Sequence, residues 1–287
     1  MQDNYVIIAD DNCDLPYEFY SQNDIAMIKM PYCIDDNIYR AGDMPLSEFY
    51  KLIREGKRST TMALNSEEIK TEMEKHLKDG KNVLYLAFSS GLSATYESGA
   101  RAAGELSKEY PDRKIKAVDS LCASMGEGLF LFMAHRKKQE GASFDELVEW
   151  AENNRLNVAH YFTVDDLMHL HRGGRVSKTS AIAGSMLGIK PVLYVDNDGK
   201  LIPIGKVRGR KQALASLVDN MEKVVGGTKP DYFMISHADC ADDAEYVAGL
   251  MKKRFGIKDC MINFIGPVVG SHTGVGTVAL FMMAEHR

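Results

Sequence analysis

Cysteine and long apolar runs are scarce in this sequence. Its five cysteines are scattered and include no Cys-x-x-Cys pair, which argues against a zinc knuckle or disulfide framework and favours a reducing cytoplasm. No apolar run approaches the roughly 18 residues of a membrane span. The first residues also lack the basic and apolar regions of an export signal. We therefore expect a cytoplasmic protein with no integral membrane segment.

The sequence also has few features of a nucleotide- or nucleic-acid-binding protein. The segment Ser89-Ser-Gly-Leu-Ser93 has no lysine and too few glycines for a phosphate-binding loop. The net charge is −5, although nine basic and two acidic residues between Arg172 and Lys211 give that segment a local charge of +7. It carries one aromatic residue, Tyr194, so nucleic acid is a poor partner. Two interpretations stay open, a docking face or anion site and a solvated lysine-rich hairpin.

The first half of the chain alternates strand-like and helix-like segments. Apolar, β-prone runs predict strands at 5–9, 25–30, 83–88 and 116–119. The spacing of apolar residues predicts helices at 46–53, 66–78 and 123–140. Ser143-Phe-Asp-Glu146 is a capping box that opens a further helix. Strands separated by helices predict parallel pairing with right-handed crossovers.

After about Leu156 the pattern changes to a hairpin combined with helices. Asp198-Gly199 is a hairpin turn signal between the strand-like runs 191–195 and 201–207. The remaining predicted strands lie at 158–163, 232–236, 261–265 and 277–282, and the helices at 165–170, 210–224 and 242–254. We predict an α/β fold of two closely packed lobes with a cleft between them: an N-terminal parallel-sheet α/β/α domain over 1–156 and a C-terminal α+β domain over 157–287.

Four loops of the first lobe are expected to meet at the carboxyl edge of its sheet, at 10–14, 59–66, 89–93 and 119–124. They are rich in hydroxyl groups, and Ser89, Ser90 and Ser93 follow a strand directly. The free N–H groups of the helix that comes next attract anionic oxygens. We therefore expect an anionic group to bind at this edge.

Two sets of residues in these loops leave alternatives open. Asp10, Asp11 and Asp14 suit a hard metal ion, but acids that end a strand and cap a helix are favoured because no further ligand set accompanies them. Thr60 and Thr61 are either caps of the turn before the 66–78 helix or ligand groups. We expect no metal site.

Ser93, between a strand and a helix, resembles the nucleophile of a hydrolase elbow, although Thr95 stands where that elbow needs a glycine. The best-placed base is His272, in a glycine-rich segment over 266–276 that is predicted to be a flexible loop. An acyl ester or thioester hydrolase with Ser93 as nucleophile and His272 as base is therefore the alternative function.

Motifs along nearly the whole chain resemble those of the DegV family. In chain order they are Asp10…Asp14-Leu-Pro16, Ser89-Ser-Gly-Leu-Ser93-Ala-Thr95-Tyr, Val118-Asp-Ser120…Ser124-Met-Gly-Glu-Gly128, Leu170-His-Arg-Gly-Gly-Arg175-Val-Ser177, Gly188-Ile-Lys-Pro191-Val-Leu, Asp198-Gly-Lys-Leu-Ile-Pro203…Arg208-Gly-Arg-Lys211 and Gly270-Ser-His-Thr-Gly-Val-Gly276. Their order and spacing make the resemblance specific.

The resemblance implies a two-lobed fatty-acid-binding protein of bacterial cytoplasm that holds a long acyl chain in a tunnel between the lobes. Such proteins present the carboxyl group to the catalytic subunit of a separate ATP-dependent fatty acid kinase, which makes an acyl phosphate for phospholipid metabolism. On this basis the chain is a non-catalytic lipid-binding partner of that kinase. A bound long-chain fatty acid is expected, and no cofactor.

Three site residues follow from matching the family motifs residue by residue. Ser93 matches the serine that contacts the carboxyl group, and His272 matches a histidine of the same polar cluster. Thr61 takes the place of a carboxyl-contacting threonine, and a slip of the register by one residue still leaves Thr61 at a hydroxyl position. The resemblance therefore predicts that Thr61, Ser93 and His272 hold the carboxyl group.

Arg172 and Arg175 fit the family's basic signature, and together with Arg208 they are expected to contact an anion or a partner. Two positions depart from the family pattern. The segment Met62-Ala63-Leu64 lacks the usual glutamine and proline, and Ala94 replaces a glycine that lets the backbone approach the ligand. Both departures bear on the shape of the pocket and on its chain-length preference.

Overall fold

The first lobe of the computed structural model, which describes residues 4–177 and 188–287, is built on a four-stranded sheet. Strands are numbered along the described chain. Those of this sheet are β1 (Tyr5–Asp10), β2 (Ile25–Ile28), β6 (Asn82–Ala87) and β7 (Ile115–Asp119), in the order β2-β1-β6-β7. Every pair is parallel, which confirms the pairing predicted from the alternation of strands and helices.

Helices cover both faces of this sheet because neighbouring side chains of a strand point to opposite sides. In β1, Val6 and Ile8 pack under α3 (Ser66–Lys78) and α4 (Thr95–Glu109). Ile7 packs on the other face, toward α5 (Met125–Gln139) and α6 (Phe144–Asn154). The shorter helices of this half are α1 (Tyr17–Gln22) and α2 (Leu46–Arg54). The predicted capping box at the start of α6 is present.

The second lobe contains a six-stranded mixed sheet in the described part of the chain. Its strands are β8 (Val158–Thr163), β9 (Ile189–Val195), β10 (Leu201–Arg208), β11 (Tyr232–His237), β12 (Asp259–Phe264) and β13 (Val278–Met283), in the order β10-β9-β8-β13-β11-β12. β9 and β10 form the predicted hairpin, and β11 pairs with β12 in parallel. The helices are α7 (Leu167–Arg172), α8 (Arg210–Val224), α9 (Ala241–Phe255) and α10 (Pro267–Thr273).

Helix α5 lies between the two sheets and is buried along its first two turns. Two positions of α5 require glycine because the helix packs closely against the second sheet on one side and against the first lobe on the other. A Cβ atom at Gly126 would lie 2.0 Å from His160 Nε2 in the second sheet, and one at Gly128 would lie 2.4 Å from the Cys13 carbonyl oxygen of the first lobe. One cluster of buried side chains therefore runs from β6 through α5 to β13.

A small antiparallel sheet was not predicted. It consists of β3 (Pro31–Ile34), β4 (Asn37–Arg40) and β5 (Ser59–Thr61), in the order β4-β3-β5. The prediction of a loop over 59–66 is therefore wrong for residues 59–61. β5 is three polar residues long and shows no alternation of its own, so its extended form comes from pairing with the more apolar β3.

The prediction of a flexible loop over 266–276 is also wrong in part, because the segment begins with α10. Pro267 occupies a first-turn position, where its missing N–H costs nothing. Gly270 is needed for close packing, since a Cβ atom there would lie 2.7 Å from the Tyr50 hydroxyl. His272 is therefore held on a helix rather than in a mobile turn.

The predicted domain boundary between residues 156 and 157 falls within the short 3-10 turn Arg155–Asn157, just before β8. It stays a prediction. No helix in the described ranges is long and apolar enough to cross a membrane.

Candidate functional site

A cavity of about 300 Å³ is lined by residues of both lobes. Loops at the carboxyl ends of β1 and β6 form one part of its wall, and β8, β13 and α10 form another. Most of the lining is apolar, including Phe88, Phe162, Leu201, Val268 and Phe281. A wall of this kind suits an apolar ligand, with a small number of polar groups left to orient it.

Thr61, Ser93, Arg175 and His272 all line this cavity, and we call these four residues its polar end. Thr61 Oγ1 and His272 Nε2 are 2.7 Å apart and share a hydrogen bond, so the end of β5 is joined to the last turn of α10. Burial, with a further contribution from the positive charge of Arg175, lowers the pKa of His272 to about 4. The imidazole is therefore neutral at neutral pH.

The surroundings of His272 indicate which ring nitrogen carries the proton. Nδ1 is buried and has no hydrogen-bond partner among the described residues. It lies against Gly173, where a Cβ atom would be only 2.1 Å away. A proton on Nδ1 would therefore lack an acceptor, so we assign the proton to Nε2, from which it is donated to Thr61 Oγ1. This leaves the hydroxyl hydrogen of Thr61 available to a ligand.

Arg175 brings a positive charge to the cavity wall. Its Nε and one terminal nitrogen donate to the Leu92 carbonyl at 3.0 and 2.9 Å, and the other terminal nitrogen donates to the Gly173 carbonyl. Within the described ranges no Asp or Glu oxygen lies within 4.0 Å of it. Burial lowers the pKa of Arg175, which is the direction expected of a cation that lacks a counter-charge. An anionic ligand would supply one.

Ser93 lies just before α4 at the carboxyl edge of the first sheet. Its Oγ accepts a hydrogen bond from the backbone N–H of Thr95 at 3.3 Å and lies 2.9 Å from Thr95 Oγ1. Ser89, in contrast, is fully buried and donates to the Gly199 carbonyl of the second-lobe hairpin at 2.9 Å. Ser93 therefore faces the cavity, whereas Ser89 connects the lobes.

The geometry of the polar end differs from that of a serine hydrolase. The side chain that contacts His272 Nε2 is Thr61, and the hydrogen-bond partner of Ser93 is Thr95. His272 Nδ1 has no acid partner in the described chain to orient the ring. A nucleophile, a base and an orienting acid in hydrogen-bond contact, as a triad requires, are not brought together here.

A profile described as "Uncharacterised protein, DegV family" matches residues 4–285. The chain belongs to the DegV family. A DegV domain-containing protein of Clostridium perfringens is 40% identical to it over 286 residues, which cover 99% of this chain and 98% of the relative. One of Streptococcus pyogenes serotype M3 is 34% identical over 285 residues, which cover 98% of this chain and 99% of the relative.

Solved DegV structures share the fold. A DegV family protein from Thermus thermophilus, described as binding fatty acid, superimposes with a TM-score of 0.88 at 26% identity, covering 98% of this chain and 99% of that one. A fatty-acid-binding DegV family protein from Streptococcus agalactiae gives a TM-score of 0.87 at 28% identity, with the same coverage. These matches confirm the two-lobed α/β architecture predicted from the DegV motifs.

The carboxyl groups at the end of β1 and in the loop after it accept hydrogen bonds from backbone N–H groups and from a serine hydroxyl group. Asp10 accepts from the Asn12 N–H at 3.0 Å and caps a 3-10 turn, and Asp11 accepts from the Met30 N–H at 2.8 Å. Asp14 accepts from the Gly266 N–H at 2.7 Å and from the hydroxyl of Ser124. Residues 4–177 and 188–287 contain no group of three or more His, Cys, Asp or Glu side chains arranged to hold a metal ion.

The basic residues predicted to contact an anion or a partner separate into two locations. Arg175 lines the cavity, whereas Arg172 and Arg208 are exposed, and no carboxylate of the described residues pairs with either. Part of the basic segment, residues 178–187, lies outside the described residues. Of the rest, Lys190 pairs with Asp165.

Two features of the site were missed by the sequence analysis. Arg210 donates to Asp243 at 2.8 Å and to the Gly276 carbonyl at 2.6 Å, so it anchors the turn that follows His272. Glu127, in the first turn of α5, is fully buried beside Asp10 and Asp14. A glutamate in a capping position is usually solvated, so its sequence position alone gave no signal of burial.

Proposed function

We propose that this chain binds a long-chain fatty acid in the cavity and presents its carboxyl group to the catalytic subunit of an ATP-dependent fatty acid kinase, without catalysing a reaction itself. The observation that carries the proposal is a guanidinium with no carboxylate partner among the described residues, at the polar end of a cavity whose lining is mostly apolar. A ligand with an anionic head and an apolar body matches both features. The fatty-acid-binding relatives from Thermus thermophilus and Streptococcus agalactiae support it.

The acyl chain supplies most of the binding free energy. Each buried methylene contributes about 0.8 kcal/mol, so a chain of about fourteen methylenes gives about 11 kcal/mol before the costs of ordering. Hydrogen bonds from Thr61, Ser93 and Arg175 to a charged carboxylate add about 1.5–3 kcal/mol each. The polar end therefore fixes the orientation of the bound fatty acid, with its carboxyl group at Thr61, Ser93 and Arg175.

Presentation to a partner requires that the carboxyl group be reachable from outside. Met62, which lines the cavity next to Thr61, is 40% exposed, and Ala94 next to Ser93 is also exposed. The polar end of the cavity is therefore the end that meets solvent. A kinase active site that docks there in the cytoplasm would reach the carboxyl oxygen while the acyl chain stays buried.

The proposal is tested by mass spectrometry of the lipid extracted from the purified protein. We expect one long-chain fatty acid per chain, and we expect Thr61→Ala combined with Ser93→Ala to lower its retention while the circular dichroism spectrum is unchanged. Met62→Leu, at an apolar lining position, is the matched control. Protein that carries no fatty acid and fails to take up an added one would contradict the proposal.

The presentation step is tested separately through Arg172 and Arg208. Reversing their charge with Arg172→Glu and Arg208→Glu is expected to lower kinase turnover at least tenfold at unchanged fatty acid affinity, because both side chains are exposed and neither pairs with a carboxylate of the described residues. Lys108→Glu, on the exposed face of α4, is the control for net charge. Equal turnover by all three proteins would exclude these arginines as partner contacts.

A further inference from the structure

Asn12 places a polar group in the cavity wall outside the polar end. It lies in the 3-10 turn Asp11–Cys13 after β1, is only 2% exposed, and lines the cavity together with Met30 and Val268. Its side-chain Oδ1 is buried, and no described residue donates a hydrogen bond to it. Buried acceptors are nearly always paired, so this oxygen calls for a donor that the described chain does not provide.

The orientation of the Asn12 amide is set by its neighbours. Its backbone N–H donates to Asp10 Oδ1 at 3.0 Å, and its side chain also hydrogen-bonds the Asp10 carboxyl group. An ionised carboxylate only accepts, so the NH2 group faces Asp10 and Oδ1 faces away from it. The next residue, Asp11, accepts from the Met30 N–H and holds the turn against the cavity wall. The unpaired acceptor is therefore held in one place.

Asn12 is displaced from the polar end along α10. The Gly266 N–H donates to Asp14 Oδ1, so the turn that carries Asn12 meets the start of α10, whereas His272 lies in its last turn. Six residues of helical rise correspond to about 9 Å. An acyl chain with its carboxyl group at His272 therefore passes Asn12 at an interior carbon atom.

The nearby hydroxyl group of Ser124 does not supply the missing donor. Ser124 Oγ donates to Asp14 and lies 2.7 Å from Ser236 Oγ. Met30, Ile265 and Val268, which line the same cavity, carry apolar side chains, and no described residue donates to Asn12 Oδ1. A donor for Asn12 Oδ1 is thus most directly provided by the ligand itself.

We propose that Asn12 is a specificity-determining residue, which accepts a hydrogen bond from a hydroxyl group in the interior of the acyl chain. The cavity then selects long-chain fatty acids hydroxylated at mid-chain. The inference rests on the proposed fatty-acid-binding function and adds the substrate class to it. The carboxyl group identifies the ligand as a fatty acid, and Asn12 distinguishes the hydroxylated acid from an unsubstituted one of equal length.

The test measures the affinities of stearic acid and of three hydroxystearic acids by displacement of a fluorescent fatty acid. The three hydroxystearic acids differ in the position of the hydroxyl group: one carries it beside the carboxyl group, one at mid-chain and one near the methyl end. In the wild-type protein we expect the mid-chain isomer to bind tightest of the three. Asn12→Leu is expected to lower the ratio of its affinity to that of stearic acid about tenfold (about 1.4 kcal/mol), because leucine removes the acceptor at similar volume. Met30→Leu, the matched control in the same wall, is expected to leave this ratio unchanged.

Each remaining outcome contradicts the inference or the function on which it rests. Three isomers with equal affinity, or a ratio unaltered by Asn12→Leu, would mean that Asn12 Oδ1 holds only water. Equal changes of the ratio in Asn12→Leu and Met30→Leu would point to cavity shape instead of hydrogen bonding. If stearic acid and all three isomers fail to bind the wild-type protein, the proposed function itself is wrong. Thermal unfolding of each variant shows whether it is folded.

Discussion

The polar end of the cavity is half-buried, whereas the carboxyl cluster at the start of α5, formed by Asp10, Asp14 and Glu127, is buried. At the polar end burial lowers the pKa of His272 to about 4, so the imidazole loses its charge. In the carboxyl cluster burial raises the pKa of Asp10 to about 6 and of Asp14 to about 7, and raises that of Glu127 well above its ordinary value. In both regions burial shifts the pKa in the direction that disfavours the charged form, which is a lower pKa for the imidazole and a higher one for the carboxyl groups.

The two regions differ in how their hydrogen-bonding capacity is used. The Asp14 carboxyl group already accepts from Ser124 and from the Gly266 N–H. The polar end keeps a guanidinium with no carboxylate partner in the described chain and a threonine hydroxyl hydrogen free to donate. The carboxyl cluster therefore helps to hold the lobes together, whereas the polar end is arranged to receive an anion.

The largest expected effect concerns Asp14. Because its pKa is about 7 in the folded protein and 3.8 in the unfolded chain, the folded state holds a proton that the unfolded state has lost between these values. The free energy of unfolding should therefore fall by about 4 kcal/mol as the pH rises from about 4 to about 8. Asp14→Asn should remove most of that fall in urea titrations. Asp112→Asn, at an exposed position, is the control, and equal profiles for both variants would show that Asp14 is ionised throughout.

The next effect concerns the charge of Arg175. Replacing it with methionine is expected to lower fatty acid affinity about thirtyfold, because a charge-assisted hydrogen bond of about 2 kcal/mol is lost. Arg175→Lys keeps the charge and should retain most of the affinity when both are compared by calorimetry. If methionine and lysine lower the affinity equally, the bonds of Arg175 to the Leu92 carbonyl matter more than its charge.

An effect of about the same size concerns His272, whose pKa shift has the opposite sign to that of Asp14. Its pKa falls from 6.5 to about 4 on folding, so the unfolded chain binds the proton between these values. The stability that it contributes is complete above pH 6.5 and is lost as the pH falls toward 4, by about 2 kcal/mol at about pH 5. His272→Gln should therefore lose less stability between pH 7 and pH 5 than the wild type does in urea titrations. Parallel losses would mean that His272 is charged in the folded protein.

The regular parts of the fold were predictable from local sequence signals. Apolar runs identified the strands of both large sheets, and Asp198-Gly199 identified the hairpin between β9 and β10. The small sheet was missed because β5 is short and polar and depends on a partner distant in sequence. α10 was missed because its glycines suggest a loop, although Gly270 is there to pack against Tyr50.

The site was predictable from motifs only as a set of residue types. The DegV motifs pointed to Thr61, Ser93 and His272, and all three line one cavity. Their contacts with ligand stay a prediction. The contact between Thr61 and His272 joins positions 211 residues apart, and no local pattern encodes it. The lack of a donor to Asn12 Oδ1 among the described residues likewise becomes visible only when its neighbours in space are known.

The placement of α5 limits how the molecule can take up its ligand. Because one helix fills the space beneath both sheets, a hinge motion that parted the lobes would expose a large apolar surface on each half. Uptake of a long lipid should instead involve local displacements near the mouth of the cavity, around Met62 and Ala94. For the same reason the two halves should melt in a single cooperative step, and neither should be stable when expressed alone.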